Sequence, residues 1–264
     1  AKNNLAMLLQ QKDLDRAKQL WQEAAATGDS YAKNNLAVIV QEEEPALARE
    51  LWEEAIALKN DMAMHNLAMV IQEGEAELSR SLLEESSELG NLEAKNDLAL
   101  VIQEDEPKRA RLLLEEAHLG GVLAATLNLA LALARDEPER SKELWEIASD
   151  AGSAPAKYNL ALLLRDDEPE QSRKLLEEAS EAGNADSKND LAILIEGEDP
   201  ERSMALLEEA SQEGNSVAKT NLALRLQERE PERSMALLDE ASQAGSDYAK
   251  NNLALLIQEY QPDR

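Results

Sequence analysis

Ala32-Lys-Asn-Asn35-Leu36-Ala37-Val38-Ile-Val40 and, 31 residues on, Ala63-Met-His-Asn66-Leu67-Ala68-Met69-Val-Ile71 are one stretch written twice. Its centre, Asn or Asp followed by Leu-Ala, returns at Asn4, Asn35, Asn66, Asp97, Asn128, Asn159, Asp190, Asn221 and Asn252 with no insertion. A fixed period of this length is the mark of one supersecondary unit stacked on itself, because each unit can bury its apolar face only against its neighbours. The repeats run 1–31, 32–62, 63–93, 94–124, 125–155, 156–186, 187–217 and 218–248, with a partial copy at 249–264. The unbroken period predicts a single solenoid domain over 1–264.

Within the unit, proline recurs at position 14 (Pro45, Pro107, Pro138, Pro169, Pro200, Pro231, Pro262), behind an acidic residue everywhere but at Gln261. Proline at a first helical turn lacks only an N–H that has no partner there anyway, so a helix B is expected to start at this point. Glycine recurs at position 28 (Gly28, Gly90, Gly121, Gly152, Gly183, Gly214, Gly245), with Lys59 the exception, as expected of a left-handed residue closing a helix. The next residue is Asp29, Asn60, Asn91, Ser153, Asn184, Asn215 or Ser246, all good N-caps, with Val122 the exception. A helix A therefore follows at once. Helix B carries small or leucine side chains at positions 17, 20, 21 and 24, the 3.6-residue stripe, with mostly acidic residues at 22 and 23 on the opposite side. Trp21, Trp52 and Trp145 fall on the stripe and read as core.

Helix A is apolar from position 5 to position 9 and must be covered on more than one side. At 100° per residue, positions 1, 5, 6, 8 and 9 are expected against helix B and the flanking repeats, and positions 3, 4, 7 and 11 on the remaining side. That side carries an apolar stripe: Met7, Val38, Met69, Leu100, Leu131, Leu162, Ile193, Leu224 and Leu255. A continuous apolar stripe facing outward generally meets a partner. The expected fold is an all-α, right-handed α/α superhelical solenoid of 31-residue helix-turn-helix repeats.

The unit A-x-x-N-L-A-x-x-(L/I), a short acidic loop, A/S-x-x-L-(W/L)-x-x-A and G-(N/D/S)-x-x-A resembles Sel1-like repeats, a branch of the tetratricopeptide family, along the whole chain. Ala6 and its equivalents stand where that family often has glycine, and the loop after helix A lacks its glycine-rich insertion. The resemblance implies a non-enzymatic adaptor presenting a concave helix-A groove to a peptide or protein. In related tetratricopeptide superhelices an asparagine ladder grips an extended peptide, and the matching positions here are Asn4, Asn35, Asn66, Asn128, Asn159, Asn221 and Asn252, interrupted by Asp97 and Asp190. The other reading is that each asparagine bonds backbone or a neighbouring repeat. The alternative role for the whole array is a structural spacer, or one that assembles end to end.

The composition narrows the partners. A formal charge of −27, from 54 acidic and 27 basic residues, disfavours nucleic acid and anionic membranes and favours a protein or peptide partner, with a cationic one as an option. No apolar run approaches the eighteen or so residues that span a bilayer, and no cysteine is present for a disulfide or a thiolate ligand. No leader peptide is visible, and the chain reads as a segment of a longer array whose uncapped ends could self-associate. His65 and His118 occupy different unit positions and form no metal-ligand pair, so each reads as a lone surface residue. The acidic loops, such as Glu42-Glu43-Glu44 and Asp166-Asp167-Glu168, lack the spacing that converges ligands on a cation and read as helix caps. No catalytic residue, metal or cofactor is expected.

Overall fold

The computed structural model describes residues 1–260; Pro262, at which a further helix B is expected, lies outside them. The chain divides into two compact units, Ala1–Leu133 and Ala134–Arg264, with the boundary inside the fifth repeat. In the first unit, A helices α1 (Lys2–Leu9), α3 (Ser30–Val40), α5 (Asp61–Ile71), α7 (Leu92–Ile102) and α9 (Leu123–Leu133) alternate with B helices α2 (Leu14–Ala25), α4 (Pro45–Ala57), α6 (Ala76–Glu88) and α8 (Pro107–Leu119). In the second, B helices α10 (Pro138–Asp150), α12 (Pro169–Glu181), α14 (Pro200–Gln212) and α16 (Pro231–Gln243) alternate with A helices α11 (Ala154–Leu164), α13 (Ala185–Ile195), α15 (Ser216–Leu226) and α17 (Asp247–Tyr260). Among the described residues there is no strand.

The B-to-A junction has no slack. At the end of α6, the Gly90 N–H donates to the Ser87 carbonyl at 3.0 Å and the Asn91 N–H to the Ser86 carbonyl at 3.1 Å, the paired bonds that close a helix around a left-handed residue. Gly90 has φ 97°, and the other position-28 glycines lie between 86° and 93°. The following residue then caps the next helix: the Asn91 side chain accepts from the Ala94 N–H at 2.9 Å. Asp29, Asn60, Ser153, Asn184, Asn215 and Ser246 do the same, each contributing on the order of 1 kcal/mol.

Small residues let the two helices of a repeat approach closely. Ala37, Ala68 and Ala99 in the first unit and Ala161, Ala192 and Ala223 in the second are fully buried at position 6. At position 17 a serine hydroxyl crosses to the carbonyl of that alanine: Ser79 to Ala68 at 2.8 Å, and Ser172 to Ala161, Ser203 to Ala192 and Ser234 to Ala223 at 2.7 Å. Each buried hydroxyl is thereby satisfied, and the bond holds helix B against the backbone of helix A. Trp21, Trp52 and Trp145 are buried as expected, and the Trp21 indole N–H donates to Asn3 Oδ1 at 3.0 Å.

One sequence expectation is corrected at the surface. The glutamates ahead of helix B, Glu44, Glu75, Glu106, Glu168 and Glu230, make no side-chain cap; only the shorter Asp13 and Asp199 fold back, onto the N–H groups of Arg16 and Arg202. Glu75 and Glu106 reach instead to Arg49 and Arg80 on the preceding B helix, at 2.5 and 2.6 Å. The acidic residues of helix B have counter-ions as well. Position 23 is met by the lysine at position 2 of its own repeat, in Lys2–Glu23, Lys33–Glu54, Lys95–Glu116, Lys157–Glu178 and Lys219–Glu240. Solvent and salt screen such pairs, and they contribute little to stability.

Lys59 stands at the glycine position with φ 61°. A left-handed conformation costs a residue bearing a Cβ about 1–2 kcal/mol, part of which glycine forfeits through its greater freedom in the unfolded chain. Lys59→Gly is therefore expected to raise stability by about 0.5–1 kcal/mol, read as a higher denaturant midpoint at unchanged slope.

Candidate functional site

The A helices offer one face that neither their own B helix nor the adjacent repeats cover. It is built from positions 4, 7, 8 and 11. The position-7 side chains Met7, Val38, Met69, Leu100 and Leu131 in the first unit and Leu162, Ile193 and Leu255 in the second are exposed, and Leu224 is half-buried. Position 8 was expected in the core but shares this face: Val70 is 58% exposed beside Met69 at 44%, and Leu163 is 48% exposed beside Leu162 at 37%. Only Leu256 in α17 is buried there. The correction follows from geometry, since positions 4, 7, 8 and 11 share a helix side at the 3.6-residue period while positions 1, 5, 6 and 9 already complete the contacts with helix B and the flanking repeats. In the first unit the face ends in exposed carboxylates, Glu42, Glu73 and Glu104, at position 11.

Position 3 turns from this face toward the next repeat and meets its position 4. Asn35 Nδ2 donates to Asn3 Oδ1 at 3.0 Å, Asn66 to Asn34 at 2.8 Å, Asn128 to Asn96 at 2.8 Å, and in the second unit Asn221 to Asn189 at 2.8 Å. Within a repeat, position 3 in turn donates to position 4, as from Asn34 to Asn35 at 3.3 Å and from Asn96 to Asp97 at 2.9 Å. The amides thus form relays, and their position-3 members Asn34, Asn96 and Asn189 are buried.

Asp97 and Asp190 keep the relay and reverse its direction. A carboxylate cannot donate, and the position-3 residue of the repeat before each one can: His65 Nε2 lies 2.6 Å from Asp97 Oδ2, and the Tyr158 hydroxyl donates to Asp190 Oδ2 at 3.5 Å. His65 is accordingly half-buried and engaged, not a lone surface residue; His118 likewise has Nδ1 2.8 Å from the Thr126 hydroxyl. Where the preceding position 3 is neither an amide nor a partner such as His65 or Tyr158, position 4 bonds its own helix. Asn159 follows a repeat with Leu127 there and Asn252 one with Thr220, and each donates to its own helix, to the carbonyls of Pro155 and Tyr248 at 2.8 Å. The signal for this pairing was present in the sequence as the match between histidine or tyrosine at position 3 and aspartate 32 residues on.

Asp190 gathers a further charge. Arg165, which replaces the glutamine or other residue found at position 10 elsewhere, donates from Nη2 to Asp190 Oδ2 at 2.9 Å. Burial, with the Asp190 and Asp186 carboxylates nearby, pushes the Tyr158 phenol up to about 12, so it remains a hydrogen-bond donor.

Compared with solved structures, the chain is similar to a Sel1 repeat protein from Oxalobacter formigenes, with a TM-score of 0.71 at 19% identity over 97% of this chain and 86% of that one. It is similar to a protective antigen of uropathogenic Escherichia coli displaying an SLR fold, with a TM-score of 0.70 at 17% identity over 98% of this chain. The chain spans 64% of that antigen's length. The pilF protein of Pseudomonas aeruginosa matches at a TM-score of 0.53 and 19% identity, over 92% of this chain and 99% of its own. The fold is that of a Sel1-like, tetratricopeptide-like α-helical repeat solenoid. No protein-family model and no curated protein sequence matches the chain.

Two outcomes check the site. Asn128→Ala leaves the buried Asn96 oxygen without its donor and is expected to cost about 1–3 kcal/mol, whereas Asn159→Ala, which removes only a bond to its own exposed turn, should stay within about 0.5 kcal/mol; denaturant midpoints compare them. For Tyr158, the raised pKa means that its share of stability is intact below pH 10.0, the ordinary tyrosine value, and is lost as pH rises toward about 12. Tyrosinate absorbance of the parent minus that of Tyr158→Phe should isolate this late phenol; a midpoint near 10.0 would show that Asp190 and burial do not hold it.

Proposed function

We propose that the chain is a non-enzymatic protein-interaction scaffold whose A-helix face receives a peptide or protein segment carrying apolar and cationic side chains. The observation that carries the reading is the run of paired, exposed apolar residues at positions 7 and 8 of consecutive repeats, Met69-Val70 and Leu100-Val101 in the first unit and Leu162-Leu163 and Ile193-Leu194 in the second. An apolar patch kept in water repeat after repeat costs solubility and no packing requirement of the fold explains it. The acidic residues at its edge and the net charge of −27 favour a partner bearing lysine or arginine.

In this reading Val38, Met69, Leu100, Leu131, Leu162, Ile193 and Leu224 form the contact stripe, and Asn4, Asn35, Asn66, Asn128, Asn159, Asn221 and Asn252 border it. An asparagine amide carries two hydrogens and a rung between repeats uses one, so a bordering asparagine can serve both the fold and a ligand carbonyl. One domain carries both units in the same proposal, since the period passes through residue 133 without interruption. Self-association through α1 and α17 is a secondary mode; Leu5 in α1 is 48% exposed, whereas Leu36 and Leu67 at the same position are buried.

The test is fluorescence polarisation with labelled peptides that combine leucine with lysine or arginine, against leucine–glutamate controls. The cationic peptides should bind, more weakly as salt rises, and Met69→Asp with Leu100→Asp should lower affinity at least about tenfold, 1.4 kcal/mol, at an unchanged melting temperature. Equal binding by the double variant, or no binding by any cationic peptide, rejects the proposal.

A further inference from the structure

The apolar face of the second unit is not uniform. Between α12 and α13 it sinks into a cavity of about 200 Å³ with Leu176 buried in it, Pro169, Ile193 and Leu194 exposed around its mouth, and Arg165 and Asp190 beside them. Ser172 also lines it, but its hydroxyl is spent on the Ala161 carbonyl, so the lining presents carbon there. A dry apolar cavity of about 150 Å³ accommodates benzene, so this recess has room for one branched aliphatic or aromatic side chain. Position 21, tryptophan in repeats one, two and five, is the smaller Leu176 here, as it is leucine in repeats three, four, seven and eight.

The polar pair at the mouth is equally particular. No other repeat combines arginine at position 10 with aspartate at position 4 of the repeat that follows. Asp190 is already occupied by Arg165, Tyr158 and Asn189, the last at 3.1 Å. A carboxylate has about four acceptor sites, so it is close to saturated, whereas Arg165 has five N–H donors and an exposed guanidinium. The unmet capacity at the mouth is therefore for an acceptor. Exposed Asp166, Asp167 and Asp186 nearby oppose an anion, which leaves a neutral carbonyl as the fitting acceptor.

We infer that this recess is an anchor site for one side chain of leucine to phenylalanine size on a lysine- or arginine-bearing peptide, with Arg165 donating to a backbone carbonyl beside the anchor. The inference rests on the scaffold reading and names the chemistry of one contact in the second unit.

The probe is N-acetyl-phenylalanine amide, titrated into the full chain and followed by methyl NMR. Binding in the millimolar range is expected for a ligand of this size, with shifts centred on Leu176, Ile193 and Leu194. N-acetyl-alanine amide should bind at least about tenfold more weakly, because it leaves the recess unfilled. Ile193→Asp should erase the shifts at an unchanged melting temperature, and Arg165→Gln, which installs the residue common at this position, should weaken binding about fivefold. Shifts that spread over other A helices, that persist in Ile193→Asp, or that are equal for the two amides overturn the anchor site. The first-unit peptide assay separates the two ideas: peptide binding lost in the Met69/Leu100 variant with no response from the amide probe rejects the recess alone.

Discussion

One left-handed residue followed by one capping side chain sets the geometry on which every other contact depends. The position-28 residue turns the chain at the end of helix B, and position 29 closes that helix with its N–H while opening helix A with its side chain. With no residue to spare between them, the junction cannot lengthen in one copy without displacing that copy's A helix from its neighbour. The rungs between position 3 and position 4, held at 2.8–3.0 Å where both are asparagine, require that alignment, as do the serine bonds from position 17 to position 6. The constraint is strong enough that Lys59 adopts φ 61° where its fellows are glycine.

Given that alignment, helix A is divided among its neighbours with one side left over. Alanine at positions 1 and 6 admits close backbones, leucine at 5 and aliphatics at 9 fill the core, and position 3 bonds the next repeat. Positions 7 and 8 stay exposed in most copies, Leu256 apart, and yet they remain aliphatic in nearly every one. The one polar exception is instructive: Arg225, at position 8 of the eighth repeat, is tied by 2.5 and 2.9 Å bonds to Glu196 and to the Asn221 carbonyl, so a charge on this face comes with its own anchors.

Period, helix boundaries, caps and the buried tryptophans were legible in the sequence because each rests on a local rule that one residue satisfies by itself. Proline at position 14, glycine at 28 and Asp, Asn or Ser at 29 act within a turn of their own location. The face assignment of position 8 was not legible in the same way. A helix apolar at five successive positions has no single moment direction, and which two residues stay outside depends on how the neighbours sit. The aspartates were misread for a related reason. Taken as members of a column, Asp97 and Asp190 look like interruptions; taken with His65 and Tyr158 of the preceding repeats, they are complements. The glutamates ahead of helix B failed as caps because one extra methylene carries the carboxylate past its own turn and within reach of a cation: Arg49 and Arg80 on the repeat before for Glu75 and Glu106, Lys18 and Lys142 for Glu44 and Glu168, and Arg233 of its own helix for Glu230.

The direction of the rungs gives the repeats an order. A copy opening with asparagine at position 4 can follow any copy that presents an acceptor at position 3, so such copies are interchangeable. A copy opening with Asp97 or Asp190 needs a donor, and behind Asn34 or Asn3 it would face the Oδ1 that now accepts from the next repeat, so that amide would have to turn over to present a hydrogen. Duplication or loss of whole copies, the usual way an array changes length, is thus neutral at some seams and disruptive at others. The array carries a grammar of adjacency written in single hydrogen atoms, and its two aspartates are the words that cannot be moved alone.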